Sequence, residues 1–222
     1  MKKILLSWSG GKDSAYCLHR LRQSSEYQIG GLLTTINEPL DRVAIHGFRA
    51  NLLVRQAQLA GLPLWRVPLP FPCSNADYEE RMAQVCCRAG QEGFTGIAFG
   101  DLFLEDIRAY REQKLAGSGL DPVFPLWGIP TRELAREMIA SGIRAKITCL
   151  DPRILPPEYA GRDWDQSLLR ELPNGVDPCG ENGEFHTMVY AGPMFSGAIS
   201  LSLGERVERN GFVYCDLLEA EG

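Results

Sequence analysis

The chain has 222 residues, of which 45% are hydrophobic and 23% are charged, and its formal net charge is −5. This length suits one large domain, or a core domain with a small addition, and the composition is that of a folded globular protein rather than a disordered or fibrous one. The acidic balance argues against an extended nucleic-acid-binding surface.

The N-terminal apolar run and the cysteines indicate the compartment. Residues 4–6, the first apolar run, are too short for a signal-peptide core or a membrane span. We therefore expect a cytoplasmic protein that does not bind membranes. The seven cysteines include no Cys-x-x-Cys spacing, which would be typical of zinc or iron–sulfur sites. We expect reduced, structural thiols, including Cys179 in a polar segment described below.

The most specific motif lies between the first predicted strand, residues 3–8, and the first predicted helix, residues 15–22. It reads Ser9-Gly10-Gly11-Lys12-Asp13-Ser14. Glycines at a strand-to-helix turn let the backbone approach a ligand closely, and the helix N-terminus offers N–H donors to an anion. Two hydroxyls and one ammonium group add to these donors. The motif therefore predicts a binding site for nucleotide phosphates.

Two well-known phosphate loops do not fit this motif. A Walker motif requires Ser or Thr after the lysine, where this chain has Asp13. A dinucleotide fingerprint requires a further glycine that does not follow Gly11 at the required spacing. The motif is therefore a different kind of phosphate loop.

Strands and helices alternate along the first 150 residues. The periodicity predicts further strands at residues 28–36, 64–69, 95–99, 123–127 and 143–150, and further helices at residues 51–62, 75–89, 106–115 and 131–141. We expect Asn75 or Asp77 to cap the third helix and Thr131 to cap the fifth. This alternation predicts an α/β fold whose parallel sheet is covered by helices on both faces.

Ligands in such folds bind beyond the carboxyl ends of the strands. Besides the phosphate motif, this rim contains Thr34, Thr35 and Ile36, where we expect backbone groups to hold adenine. It also contains Gly100 and Asp101, which follow the fourth predicted strand. We expect these three segments to form one nucleotide site.

The sequence changes character after residue 150, where a proline-rich joint begins. We divide the chain into a nucleotide-binding domain, residues 1–150, and a smaller region on the substrate side, residues 151–222. The smaller region contains a predicted helix at residues 165–172. Two β-runs, at residues 198–203 and 211–217, are predicted to form a hairpin.

Residues 177–187, which we name the acidic loop, form the second informative segment. Glu181, Glu184 and His186 are expected to line a pocket there, where acids can hold Mg²⁺, ammonia or a cationic substrate. An oxygen-rich magnesium site shared with nucleotide phosphates fits this donor set better than a transition-metal site made of the histidine and the two glutamates.

The first motif resembles the PP-loop of the N-type ATP pyrophosphatases, a superfamily that cleaves ATP between its α- and β-phosphates. The pattern Gly-Glu-x-Gly-Glu-x-x-Thr at residues 180–187, followed by Gly192-Pro193, resembles the diphthine–ammonia ligase family in particular, over nearly the whole chain. This resemblance implies a Rossmann-like, doubly wound parallel sheet of the adenine nucleotide α-hydrolase type. A smaller C-terminal α+β region would follow it.

The resemblance also implies a reaction. A substrate carboxylate attacks the α-phosphorus of ATP and releases pyrophosphate, and ammonia then displaces AMP to form an amide. ATP and Mg²⁺ would bind at the PP-loop, where Lys12 and the loop N–H groups stabilise the leaving pyrophosphate. Asp13, together with Asp101, would bind the Mg²⁺.

On the acceptor side, the resemblance assigns catalysis to Glu181, Glu184 and His186, which would orient ammonia or take a proton from ammonium. The family's acceptor is diphthine, a modified histidine on a translation elongation factor. Many family members have Glu-Gly-Gly-Glu and a further acid where this chain has Asn182 and His186. Residues 100–108 resemble bacterial relatives, and in a bacterial source the acceptor would be another, unknown carboxylate or amide, such as a small molecule.

Two other function classes, and a homodimeric assembly, stay open at this point. A PP-loop enzyme that modifies tRNA would share the first motif, although the acidic balance and the missing Cys-x-x-Cys argue against it. A non-catalytic nucleotide sensor of the universal-stress type would share the fold but would not need the acidic loop. Measuring pyrophosphate release against a set of carboxylates separates these classes.

Overall fold

The computed structural model describes residues 1–220, which form two β-sheets and six α-helices. The strands are β1 (Lys2–Ser7), β2 (Tyr27–Asn37), β3 (Arg42–Val43), β4 (Leu64–Leu69), β5 (Gly96–Ala98), β6 (Asp121–Val123), β7 (Arg144–Leu150), β8 (Asp163–Trp164), β9 (Phe185–Ala191), β10 (Leu201–Arg209) and β11 (Phe212–Glu219). The helices are α1 (Lys12–Arg22), α2 (Ala50–Ala60), α3 (Asn75–Gln91), α4 (Glu105–Leu115), α5 (Thr131–Ala140) and α6 (Gln166–Glu171). Within the described residues, no helix combines the length and apolar character needed to cross a membrane.

The first sheet has six strands and is mainly parallel. Strand β1 pairs with β2 on one side and with β5 on the other, β4 extends the sheet beyond β2, and β6 extends it beyond β5. The short β3 pairs antiparallel with the end of β2. The strand order therefore reverses between β1 and β5, which opens a crevice at their carboxyl ends. This topology confirms the predicted Rossmann-like parallel sheet.

Side chains of β1 alternate between two cores on opposite faces of this sheet. Ile4 and Leu6 pack into a core that also contains residues of α1 and α2, whereas Leu5 packs with residues of α3 and α4. Alternating side chains of a strand point to opposite faces, so a strand buried on both faces must be apolar throughout. The sheet is thus doubly wound.

The second sheet has five strands, in the order β10-β11-β7-β8, with β9 also paired to β7. The prediction that residues 143–150 continue the parallel series was wrong, because β7 pairs antiparallel with β8, β9 and β11. Strand β7 is buried along most of its length, and an apolar run of this kind does not distinguish a parallel from an antiparallel strand. The domain boundary at residue 150 stays a prediction, and the pairing of β7 argues for placing it earlier.

Several local details also differ from the predictions. Ser74, rather than Asn75 or Asp77, caps α3, and it forms a reciprocal capping box with Asp77. Thr131 is the first residue of α5 and donates its hydroxyl to Asp177 at 2.5 Å instead of capping the helix. The sixth strand ends at Val123, because residues 125–128 form a turn.

Gln56 on α2 joins the two sheets at the phosphate motif. Its side chain is fully buried, and its amide nitrogen donates to the carbonyls of Gly10 at 2.9 Å and Val189 at 2.6 Å. Its amide oxygen accepts from the Trp8 indole at 3.1 Å. Val189 also donates its backbone N–H to Gly10 at 2.9 Å, so β9 of the second sheet is held directly against the loop of the first.

Candidate active site

The phosphate loop, residues 9–14, connects β1 to the first turn of α1 through a turn that requires glycine. Gly10 has a positive φ of 76°, and a Cβ atom there would lie 2.6 Å from both the Gln56 amide oxygen and the Phe48 ring. Gly11 precedes the helix and has no side chain to cap α1, and the Lys12 N–H is taken by the Thr187 hydroxyl. The backbone N–H groups of the following residues in the first turn suit an anion.

The two serines of the motif lie beside each other. The hydroxyl oxygens of Ser9 and Ser14 are 3.3 Å apart, and the Ser14 hydroxyl donates to the Gly11 carbonyl at 3.0 Å. Ser9 accepts the Gly11 N–H at 3.3 Å. Both residues line the cleft described below, so their hydroxyls can rotate from these contacts to donate to a phosphate.

Lys12 is buried and links the phosphate loop to the acidic loop. Its ammonium donates to the Asp13 carboxylate at 2.9 Å and to the Cys179 carbonyl, and its backbone N–H donates to the Thr187 hydroxyl at 3.1 Å. Burial, the largest single effect, lowers the pKa of Lys12, but the nearby acidic groups, Asp13 first among them, together raise that pKa above its ordinary value. The lysine is therefore a permanent cation at the junction of the two sheets.

Asp13 and Asp101 each have a buried oxygen atom, Oδ1 and Oδ2 respectively, with no hydrogen-bond partner in the described residues. Burial raises the pKa of both carboxyls, and Lys12 and Arg111 only partly offset this. The backbone brings them together, because a Cβ atom on Gly100 would lie 3.2 Å from the Asp13 carbonyl carbon.

These two carboxylates fit a magnesium ion that shares its coordination with nucleotide phosphates. Mg²⁺ is usually bound by one or two carboxylates together with substrate phosphates and water. The two buried carboxylate oxygen atoms that lack a hydrogen-bond partner in the described residues, on Asp13 and Asp101, could supply such ligands. Across residues 1–220, no group of three or more His, Cys, Asp or Glu side chains is arranged to hold a metal ion.

Glu181 is the acid of the acidic loop that reaches the cleft. Its carboxylate accepts the Leu102 N–H at 2.9 Å, which ties it to the segment after β5. Burial, and then the charge of Asp13, raise the pKa of Glu181 to about 7. A carboxyl with this pKa can gain or lose a proton near neutral pH, as a general base or acid requires.

Glu184 lies in a different place from the one expected. Its buried carboxylate accepts the backbone N–H of Asp177 at 2.9 Å, and it also accepts the backbone N–H of Asn182 at 2.9 Å and the side-chain amide of Asn182 at 3.1 Å. It does not line the cleft. The structure therefore brings Glu181, but not Glu184, to the nucleotide site, and Glu184 holds the acidic loop in shape.

His186 forms a pair with His46, which follows β3. Their ring centroids are 4.8 Å apart, and His46 Nδ1 donates to the Thr187 carbonyl at 3.0 Å. Burial lowers the pKa of His46 to about 4 and that of His186 to about 3. Both imidazoles are therefore neutral at physiological pH, and each retains a nitrogen lone pair that can accept a hydrogen bond.

A cleft of about 580 Å³ brings these groups together. Its lining includes most of the residues that the sequence indicated, namely Ser9, Lys12, Asp13, Ser14, Thr34, Thr35, Gly100, Asp101, Glu181 and His186. Four others do not line it, namely Gly10, Gly11, Ile36 and Glu184. Ile36 belongs to the hydrophobic core, and Gly10 is covered by Gln56 and Phe48.

The cleft also contains residues that sequence reasoning did not assign to the site. Tyr78 and Met82 are four residues apart on α3, a spacing that places both on one face of a helix and could have indicated them. Arg111 on α4 has no such sequence signal. Cys179 is buried, burial raises its pKa, and its thiol donates to the Thr131 carbonyl at 3.5 Å, as expected of a structural thiol.

Known protein families match almost the whole chain. The sequence profile described as "Diphthamide synthase N-terminal domain" matches residues 1–121, and the one described as "Diphthamide synthase C-terminal domain" matches residues 130–220. The diphthine–ammonia ligase of Homo sapiens is 27% identical over 226 residues, which cover 90% of this chain and 82% of that protein. The same enzyme from Bos taurus is 27% identical over 227 residues, with the same coverage.

Two solved structures have a lower similarity. A protein described as a predicted subunit of tRNA methyltransferase from Methanocaldococcus jannaschii aligns with a TM-score of 0.45 and 16% identity, covering 66% of this chain and 79% of that one. The U34-tRNA thiolase NcsA from Methanococcus maripaludis aligns with a TM-score of 0.37 and 22% identity, covering 63% and 56%. The strand order described above, rather than these alignments, identifies the fold.

Proposed function

Because the chain belongs to the diphthamide synthase family, we propose that it is an ATP-dependent ligase that adenylates a carboxylate acceptor and then transfers ammonia to it. The observation that carries the proposal is the direct bonding of the phosphate loop to the acidic loop, through Lys12 and Thr187. A nucleotide phosphate and an acceptor bound by the two loops would meet in one cleft.

In the first half-reaction, an acceptor carboxylate oxygen attacks the α-phosphorus of ATP, and the bond between that phosphorus and the oxygen bridging to the β-phosphate breaks. The N–H groups at the start of α1 and the hydroxyls of Ser9 and Ser14 donate to the phosphates. Lys12 supplies positive charge where pyrophosphate departs. Magnesium bound to Asp13 and Asp101 would neutralise the same developing charge.

In the second half-reaction, ammonia attacks the carbonyl carbon of the acyl-adenylate, and AMP leaves as the C–O bond breaks. Glu181, with its pKa near 7, takes the proton that the nitrogen must lose. The neutral His46 and His186 accept N–H hydrogen bonds and so orient the ammonia. Glu184 acts indirectly, because it positions the loop that carries Glu181.

The names of the relatives indicate the chemical class of the acceptor but not one particular molecule. The curated relatives are named diphthine–ammonia ligases, and we propose for this chain a carboxylate acceptor of that type, either diphthine on an elongation factor or a small carboxylate.

A trapping assay with several candidate acceptors tests the proposal. The protein is incubated with Mg·ATP, hydroxylamine in place of ammonia, and either a diphthine-bearing elongation factor or a set of small carboxylates. We expect AMP, pyrophosphate and a hydroxamate in equal amounts with one of these acceptors. ADP and phosphate as the main products would contradict the proposal, as would AMP formation that no carboxylate stimulates.

A further inference from the structure

Arg111 on α4 faces the cleft in an incomplete ion pair. Its Nε atom lies 3.5 Å from Asp101 Oδ2, and both atoms are buried without a hydrogen-bond partner in the described residues. Its guanidinium lies 4.8 Å from the centre of the Phe99 ring. The Phe99 ring therefore lies against the guanidinium, while the Nε–H group has no full partner.

Another arginine of this protein shows what a complete pair looks like. Arg49 donates through Nη2 to Asp216 Oδ2 at 2.6 Å and through Nε to Asp216 Oδ1 at 3.2 Å. Such two-pronged pairs are the geometry that a guanidinium and a carboxylate prefer. A buried donor without a hydrogen-bond partner is costly. Arg111 would therefore gain by leaving Asp101 for an anion that accepts hydrogen bonds from its guanidinium in full.

The strand order indicates which part of ATP would reach Arg111. Thr34 and Thr35, expected to hold adenine, lie near the carboxyl end of β2, whereas Asp101 follows β5, and β1 lies between these strands. A nucleotide whose adenine lies at β2 and whose β- and γ-phosphates lie over the loop after β1 has those phosphates beside β5, because Gly100 after β5 packs against the backbone of Asp13 and Ser14. Arg111 lies on that side of the crevice.

We propose that Arg111 is a further nucleotide-binding residue, which leaves Asp101 and donates to the β- and γ-phosphates of ATP. The inference rests on the proposed function for the position of ATP in this cleft. A guanidinium suits this task because its paired N–H groups match two phosphate oxygens at once. When Arg111 moves away, Asp101 Oδ2 is free to bind the magnesium ion that Asp13 and Asp101 would hold.

Binding measurements on two arginine variants test the proposal. Arg108 is a matched control, because it lies on the same helix but stacks on Phe124 and Trp127 and pairs with Glu112 outside the cleft. Dissociation constants of Mg·ATP, Mg·pyrophosphate and AMP are measured by calorimetry for wild type, Arg111→Gln and Arg108→Gln. Thermal unfolding of each variant shows that it is folded.

For Arg111→Gln, we expect the dissociation constants of Mg·ATP and Mg·pyrophosphate to rise by about tenfold to a hundredfold, as the loss of a charge-assisted hydrogen bond predicts. AMP has no β- or γ-phosphate, so its affinity should change by less than about twofold on that reasoning. Arg111→Lys should recover part of the lost affinity for Mg·ATP and Mg·pyrophosphate, because lysine keeps the positive charge but lacks the paired N–H donors of the guanidinium.

Unchanged Mg·ATP affinity in Arg111→Gln would overturn the inference and leave the proposed function intact. An equal loss for AMP and ATP would also overturn it, since that pattern indicates a structural role. Wild-type protein that binds none of the three ligands would overturn the proposed function together with the inference.

Discussion

The phosphate loop and the acidic loop are both rich in glycine and polar residues, yet they take their shape in different ways. The phosphate loop is held between β1 and α1, so the direction of its donors follows from the elements on either side. The acidic loop leads into β9 but is separated from α6 by residues 172–176, and its own carboxylates accept several of the hydrogen bonds that shape it. Asp177, for example, accepts the N–H of Cys179 at 2.8 Å. A motif between regular elements therefore predicts geometry better than a cluster of acids does.

Lys12 is where the two loops meet, and its removal is the largest perturbation that we expect. Lys12→Ala removes the bond to the Cys179 carbonyl and leaves the Asp13 carboxylate without its cation. Loss of one partner of a buried ion pair costs about 3 kcal/mol or more in unfolding free energy. We also expect weak ATP binding and no turnover, measured by calorimetry and by AMP release.

The exposed Lys114, which pairs with Glu79 on the protein surface, provides the control for this variant. Lys114→Ala should leave stability, ATP affinity and turnover as they are in the wild type. Equal ATP affinity in wild type and Lys12→Ala would show that the phosphate loop has been assigned wrongly.

Glu181→Gln tests whether the acidic loop contributes chemistry to the cleft. The amide keeps the size of the side chain but cannot take a proton, so amide formation should fall by about a hundredfold or more. ATP affinity should stay at the wild-type value. Because the pKa of Glu181 is raised to about 7, the wild-type rate should also increase as the pH rises through about 7. A variant with the wild-type rate and pH profile would remove Glu181 from the mechanism.

The sequence predicted most of the first sheet because its signals are local. The strand before Ser9, the glycines and the helix after them form one continuous pattern, and the rim residues Thr34 and Asp101 follow from the rule for parallel sheets. The assignment of β7 failed for a physical reason. Its apolar residues report burial, whereas its partners are set by long-range pairing with β9 and β11.

The site was predictable in part for the same reason. The polar residues of the phosphate motif, from Ser9 to Ser14, line the cleft, whereas Glu184 satisfies donors inside its own loop. The pairing of His46 with His186 joins segments that are far apart in sequence, and so does the bond of Gln56 to Gly10 and Val189. Such contacts depend on how the second sheet packs on the first, which no local pattern records.

Glu184→Gln distinguishes the sequence-based role of Glu184 from the structural one. If Glu184 is catalytic, as the sequence predicted, the variant should bind ATP and lose amide formation at unchanged stability. The structure leads us to expect the opposite order of effects, because the new NH₂ group would face a backbone N–H donor. A buried donor left unpaired costs about 1–3 kcal/mol, which urea unfolding would measure. A large rate loss with unchanged unfolding free energy would restore the catalytic role.

The smallest expected effect is the pH dependence of stability that Glu181 contributes. The pKa of this carboxyl rises from its ordinary 4.5 to about 7 on folding, so the folded state binds the proton more tightly than the unfolded state does. Its contribution to stability is therefore fully present below pH 4.5 and is lost as the pH rises through about 7. Glu181→Gln cannot titrate and so does not show this loss. The unfolding free energy of the variant minus that of wild type should therefore be larger at pH 8 than at pH 5.

The exposed Glu133 on α5 offers a matched control, since Glu133→Gln should give the same difference from wild type at both pH values. A relative stability of Glu181→Gln that does not change between these two pH values would mean that Glu181 is not held in the cleft as a buried acid.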